Sequence, residues 1–118
     1  MKLTAVDFGA AKPIEGYGAG FFRIGGAVHP APVLIAPGLA LPWGGFDDPA
    51  TLLGLVGQVD VLFIGTGPQI APLPRALREA LDSAGLGAEI MASASACRTY
   101  NVLLSEGRRV AVALLSAV

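Results

Sequence analysis

Ala96-Cys97-Arg98-Thr99-Tyr100-Asn101, running on to Glu106-Gly107-Arg108-Arg109, lies inside the stretch 91–115 whose reading decides the fold. At about 100° per residue, Ala96, Cys97, Tyr100, Leu103 and Leu104 share one arc of a helix, with Ser95, Arg98, Ser105 and Glu106 opposite. Ser93 or Ser95 can cap its start. Gly107 stands where a left-handed C-terminal residue is wanted, and Arg108 and Arg109 bring positive charge to the helix's negative end. Val110-Ala111-Val112-Ala113-Leu114-Leu115 then reads as a buried strand. Strand end, capped helix, glycine stop and final strand make an α/β ending.

Upstream the pattern repeats. Asp60-Val61-Leu62-Phe63-Ile64 is continuously apolar after one acid, as expected of a strand covered on both faces in a parallel or mixed sheet. Gly65-Thr66-Gly67-Pro68 turns the chain. Pro74 opens a helix with Leu77, Leu81 and Ala84 on one face and Arg75, Arg78, Glu79 and Asp82 on the other. Gly85 closes it, and Ala88-Glu89-Ile90-Met91 is the next strand, completing a βαβ unit. Earlier still, Asp48 is an N-cap followed by Pro49 at the first helical position. That short helix carries Leu52, Leu53 and Val56 on one side and ends near Gly57.

The N-terminal part reads as β structure. A short strand at residues 3–6 precedes a loop holding Gly16-Tyr17-Gly18-Ala19-Gly20. Phe21-Phe22-Arg23-Ile24, a Gly25-Gly26 break, Pro32-Val33-Leu34-Ile35-Ala36 and residues 39–41 follow. Short apolar runs bounded by Gly and Pro are strand signals, and they predict an antiparallel hairpin or small meander. With no repeat and no linker, the chain is one α/β domain over residues 1–118.

Composition narrows the function classes. At 118 residues, folding buries roughly two-thirds of the extended chain's surface, enough for a core. Only 14% of residues are charged, against about 25% in average soluble domains, so apolar surface is left exposed or meets a partner. A net charge of -1 disfavours nucleic-acid binding. Residues 24–46 hold no Asp, Glu, Lys or Arg, yet their prolines and glycines exclude a membrane-spanning helix. One cysteine permits no internal disulfide, and no signal peptide is evident, so a cytoplasmic location is expected.

Candidate sites are few. Gly16, Gly18 and Gly20 precede a strand instead of opening a helix, so they fit a turn better than a nucleotide loop. In open α/β sheets ligands collect beyond the carboxyl ends of parallel strands. Gly65, Thr66 and Gly67 at one such end, with Ser93, Ser95 and Arg98 at the next, are therefore the candidate ligand site, for an anion drawn to a helix N-terminus. Cys97 falls on the apolar arc and is expected to be buried; His29 has no acid near it in sequence. One Cys and one His cannot build a structural zinc site, and no cofactor is implied. Asn101, beside the apolar arc, is expected to hydrogen-bond a neighbouring segment.

Tyr17-Gly18-Ala19-Gly20 with Phe22-Arg23-Ile24, the lone Trp43, Asp60 through Gly67, Pro72-Leu73-Pro74, and Ala96 through Asn101 to Glu106-Gly107-Arg108 occur in this order. Together they resemble the small bacterial and archaeal relatives of mitochondrial complex I assembly factor 3, over nearly the whole chain. The resemblance implies a three-layer α/β domain with a central mixed sheet, and, in the mitochondrial branch, a role in assembling the respiratory NADH dehydrogenase. It supplies no catalytic residue. It also implies a glycine-containing hairpin turn where this chain has His29-Pro30-Ala31-Pro32.

The leading expectation is a non-enzymatic interaction protein, with respiratory-complex subunits or assembly factors as partners and Trp43 and Phe46 as anchors, since aromatics often dominate interface energy. One rival is the strand-end ligand site, in a sensor or a weak enzyme. Another is a homo-oligomer that covers its own apolar surface.

Overall fold

The computed structural model describes residues 12–118; the expected strand at 3–6 lies outside them. Among the described residues eight strands form two sheets, accompanied by three α-helices and a short 3-10 turn at Gly45–Asp47. The first sheet is an antiparallel meander of β1 (Ile14–Gly18), β2 (Phe21–Ile24) and β3 (Ala27–Pro30). The second has five strands: β4 (Val33–Ala36), β5 (Leu39–Pro42), β6 (Val61–Gly65), β7 (Ala88–Met91) and β8 (Val110–Leu114), in the order β5-β4-β8-β6-β7. β6 runs parallel to both β7 and β8, whereas β4 runs antiparallel to β8. The sheet is therefore mixed, as the doubly buried run at residues 61–64 requires.

Alternation along the central strands builds two cores. Val33, Ile35, Phe63, Val110, Val112 and Leu114 face α3 (Ser93–Ser105) and the meander, meeting Ile14, Phe22, Ile24, Ala96, Cys97, Tyr100 and Leu104. Leu34, Ala36, Leu62, Ile64, Ala111 and Ala113 face α1 (Pro49–Leu53) and α2 (Arg75–Ser83), meeting Leu52, Leu77 and Leu81. Helices α1 and α2, the five-stranded sheet, and α3 with the meander are the three layers.

Local signals explain the helix ends. The Asp48 carboxylate accepts from the Thr51 backbone N–H at 3.2 Å and its hydroxyl at 2.6 Å, capping α1 ahead of Pro49. These bonds, the Thr51 hydroxyl's foremost, hold the Asp48 carboxyl below its ordinary value. At the end of α3, Arg108 N–H donates to the Leu103 carbonyl and Gly107 N–H to the Leu104 carbonyl, with Gly107 at φ +79°. That is a Schellman stop. Arg109 does not serve the helix end: it pairs with Asp60 at 2.8 Å, where β6 and β8 begin side by side, and holds that carboxyl below its ordinary value.

Several expectations need correction. Gly16 and Gly18 lie within β1, and the turn is at Ala19-Gly20. Residues 27–30 form a strand because Gly25 and Gly26, both at positive φ, close a two-residue hairpin from β2. His29-Pro30-Ala31-Pro32 is no hairpin turn; it carries the chain from one sheet to the other. α1 ends at Leu53, so Val56 is exposed and Leu55 takes the buried place.

Candidate functional site

The carboxyl ends of β6 and β7 do converge with the start of α3, and they are closed. Gly65, Thr66 and Gly67 meet Ser93, whose hydroxyl accepts from the Gly67 N–H at 2.9 Å and donates to the Leu115 carbonyl at 2.8 Å. Ser93 N–H donates to the Gly67 carbonyl, and Thr66 N–H to the Met91 carbonyl. The Thr66 hydroxyl donates to the Gln69 carbonyl and accepts from the Ala71 N–H, folding the following loop back over the strand. Ser93 is 0% exposed. A methyl at Gly65 would stand 2.6 Å from Ser93 Oγ and 2.7 Å from Leu114 Cδ2, so glycine is required there for close approach.

This geometry corrects the capping expectation. Ala92 is the N-cap of α3 and no side chain caps it. Ser93 lies one position inside and spends its hydroxyl on two neighbouring strand ends. Among the described residues the Ser95 and Arg98 side chains make no hydrogen bond to Gly65, Thr66, Gly67 or Ser93; exposed Arg98 donates to Ser95 Oγ at 3.2 Å. The six residues are neighbours in the fold, but the buried four form a joint between strand ends.

Other candidates sort by burial. Trp43 is 3% exposed, its indole N–H donating to the Asp48 carbonyl at 3.1 Å and its ring meeting Phe46 edge-on at 6.2 Å. It is a core residue beneath α1, not an exposed anchor, because its indole has a partner inside the fold; Phe46 is half-buried against the same core. Cys97 is buried, and desolvation pushes its thiol up to about 12, so it is an unreactive packing residue. Burial likewise pushes the Tyr100 phenol up to about 12, and its hydroxyl has no hydrogen-bond partner among the described residues. Asn101 acts as expected: its amide clamps the Ile14 backbone, accepting from N–H and donating to C=O, both at 2.8 Å, which ties β1 to α3. Among the described residues no three His, Cys, Asp or Glu come together as a metal site.

The open feature is elsewhere, between β3 and β5, the facing outer strands of the two sheets. A cavity of about 320 Å³ is lined by Lys12, Ile24, His29, Ile35 and Ala40 among others. It adjoins a second of about 270 Å³, walled by Pro30, Pro32, Pro42 and the edge of Trp43, with His29 and Ala40 common to both. His29 pairs across the hairpin with Phe22, which is buried, so the imidazole is on the inward face of the meander. Gly25 at φ +57° brings the Lys12 stem over the cavity mouth; a side chain at Gly25 would meet Lys12 Cδ at 2.5 Å. The register also sets which backbone groups face outward. Ile24↔Ala27 and Ala36↔Leu39 close two-residue hairpins, so Val28 and Pro30 on β3, and Ala40 and Pro42 on β5, turn away from their ladders. Each edge thus carries a proline at an outward position, which blunts strand addition. On the opposite face of β5, paired with Leu34 and Ala36, Leu39 and Leu41 remain 44% and 42% exposed.

Lys12, Leu39 and Leu41 are not singled out by the residue pattern. For Leu39 and Leu41 the one signal is the uncharged run 24–46, whose apolar surplus surfaces on β5; nothing in the pattern points to Lys12. No helix among the described residues is long and apolar enough to cross a membrane.

Comparison with known proteins places the chain. Residues 14–115 match the family described as a protein of unknown function (DUF498/DUF598), and the chain belongs to that family. It is 58% identical to an uncharacterised protein of Rhodobacter capsulatus, covering 98% of this chain and 93% of that one. It is 31% identical to NADH dehydrogenase [ubiquinone] 1 alpha subcomplex assembly factor 3 of Danio rerio, over 98% of this chain. The chain spans 70% of that factor's length and 60% of its Xenopus tropicalis counterpart's. Among solved structures, a crystal structure described as an outer membrane protein from Bartonella henselae superposes with a TM-score of 0.80 at 33% identity, covering 90% of this chain and 95% of that one. The three-layer fold and the kinship with the assembly factors both agree with the expectation from sequence.

Proposed function

We propose that this protein is a non-enzymatic interaction protein that assists assembly of a respiratory NADH dehydrogenase. The observation that carries this reading is the identity to assembly factor 3 along nearly the whole chain, 31% over 98% of its length. The exposed face of β5 supports it. Leu39 and Leu41 stand side by side at an outer strand of the main sheet, in a segment without a single charged side chain. Apolar side chains held on a rigid strand suit a protein partner, and the outward prolines of β3 and β5 keep that contact from spreading into open-ended strand addition.

The test is affinity capture from the protein's own cells under conditions that preserve complexes, with mass spectrometry of what is retained. The reading expects subunits or assembly partners of the NADH dehydrogenase, and their loss when Leu39 and Leu41 are both replaced by Asp. Recovery of no such subunit rules it out.

A further inference from the structure

We propose that the cavity between β3 and β5 is a binding site for a small organic anion with an aliphatic body, such as a short-chain carboxylate. Three observations meet there. The floor is apolar, made by Ile24, Ile35 and Ala40, of which Ile24 and Ile35 belong to the buried core. The rim carries hydrogen-bond donors: Lys12 and His29 line the cavity, and among the described residues no Asp or Glu does. The edges are closed to a peptide ladder, because the outward positions after Val28 and Ala40 are Pro30 and Pro42, which carry no N–H.

The last point decides between occupants. An extended peptide would use alternate backbone donors along β3 or β5, and proline interrupts the series on both. A compact ligand needs no ladder. Its carboxylate takes charge-assisted hydrogen bonds from the Lys12 ammonium and the His29 imidazole N–H, and its alkyl body covers Ile24, Ile35 and Ala40. A volume of about 320 Å³ lies at the small end of ligand pockets, which favours a few carbons plus one charged group. The Lys12 stem packs over Gly25, and the hairpin register sets the face on which His29 stands, so both side chains reach the cavity from backbone positions fixed by the meander.

The site borders the partner-binding face, since Leu39 also lines this cavity and Leu41 the adjoining one, although both pair with Ala36 and Leu34 on the other face of β5. Variants at Lys12 and His29 therefore read ligand binding apart from partner capture. The experiment is a titration of the purified, 15N-labelled protein with hexanoate, hexan-1-ol and acetate, followed by amide chemical shifts. Saturable shifts are expected with hexanoate at Ile24, Ala27, His29 and Ala40. Hexan-1-ol lacks the charge and acetate the chain, so both bind about tenfold more weakly or worse. Lys12→Gln and His29→Gln should each weaken hexanoate about tenfold while leaving the rest of the spectrum in place. The proposal is overturned by any of four results: no saturable shift, hexan-1-ol equal to hexanoate, hexanoate unaffected by both variants, or shifts that map to residues 93–98.

Discussion

The strand ends around Ser93 and the gap between β3 and β5 are both places where a ligand could be sought, and they are built in opposite ways. At the strand ends every hydroxyl on the buried side has protein partners, and Gly65 leaves no room for a methyl group. Between β3 and β5 the walls are side chains from two different sheets with space between them, and among the described residues the Lys12 and His29 side chains on the rim meet no hydrogen-bond or ion-pair partner. The first place uses its polar groups to hold the fold; the second leaves them free to meet something else. A position beyond parallel strands is thus a site only where its donors are unspent.

Substitutions can break that contrast. Gly65→Ala should be the most damaging, since its Cβ meets Ser93 Oγ, Leu114 Cδ2 and the Ser93 Cα within 2.8 Å; a loss of about 3 kcal/mol in urea unfolding is expected. Ser93→Ala leaves the buried Gly67 N–H and Leu115 carbonyl without this partner, and should cost about 2 kcal/mol by the same measurement. If either variant is as stable as the wild type, the strand ends are not a structural joint.

The α3 core titrates at alkaline pH. Cys97 and Tyr100 keep their protons to about 12 in the folded protein, against ordinary values of 9.0 and 10.0. The folded state then holds protons that the unfolded chain sheds, so their contribution is intact below pH 9.0 and fades as pH rises towards about 12. The slope is at most about 1.4 kcal/mol per pH unit for each retained proton. Melting temperature followed upward from pH 9.0 should fall, and Cys97→Ala should flatten the first part of the decline. The smallest effects belong to the cleft: Lys12→Gln and His29→Gln should stay within about 0.5 kcal/mol of wild type, because among the described residues their polar ends make no hydrogen bond or ion pair. A large destabilisation from either would make the cleft a structural element too.

Much of the framework is visible in the residues themselves. Asp48-Pro49, the Gly107 stop and the unbroken apolar run at 61–64 state their roles locally, since caps and doubly covered strands depend on neighbours in sequence. Asn101 is legible in kind, as a half-buried amide that must bond something, though not in its partner Ile14, which lies far away in the chain. Ser93 is misleading because a serine at a helix start has the same local signature whether it caps or ties strands; only residues 67 and 115 distinguish the two. Trp43 reads as an exposed anchor until α1 covers it. The cleft leaves no sequence pattern at all, because it arises where β3 and β5, members of different sheets, come to face each other after the crossing at residues 31–32.

The central claim is that the protein acts by binding a respiratory assembly partner through β5. Quantitative capture with wild type and with the Leu39→Asp, Leu41→Asp double variant, matched for folded protein by melting temperature, tests it most directly. NADH dehydrogenase subunits or their assembly partners should be retained by wild type and reduced at least about tenfold by the variant, as expected when two apolar contacts are replaced by charge. Equal retention by both proteins, or retention of no respiratory component by either, would contradict the account.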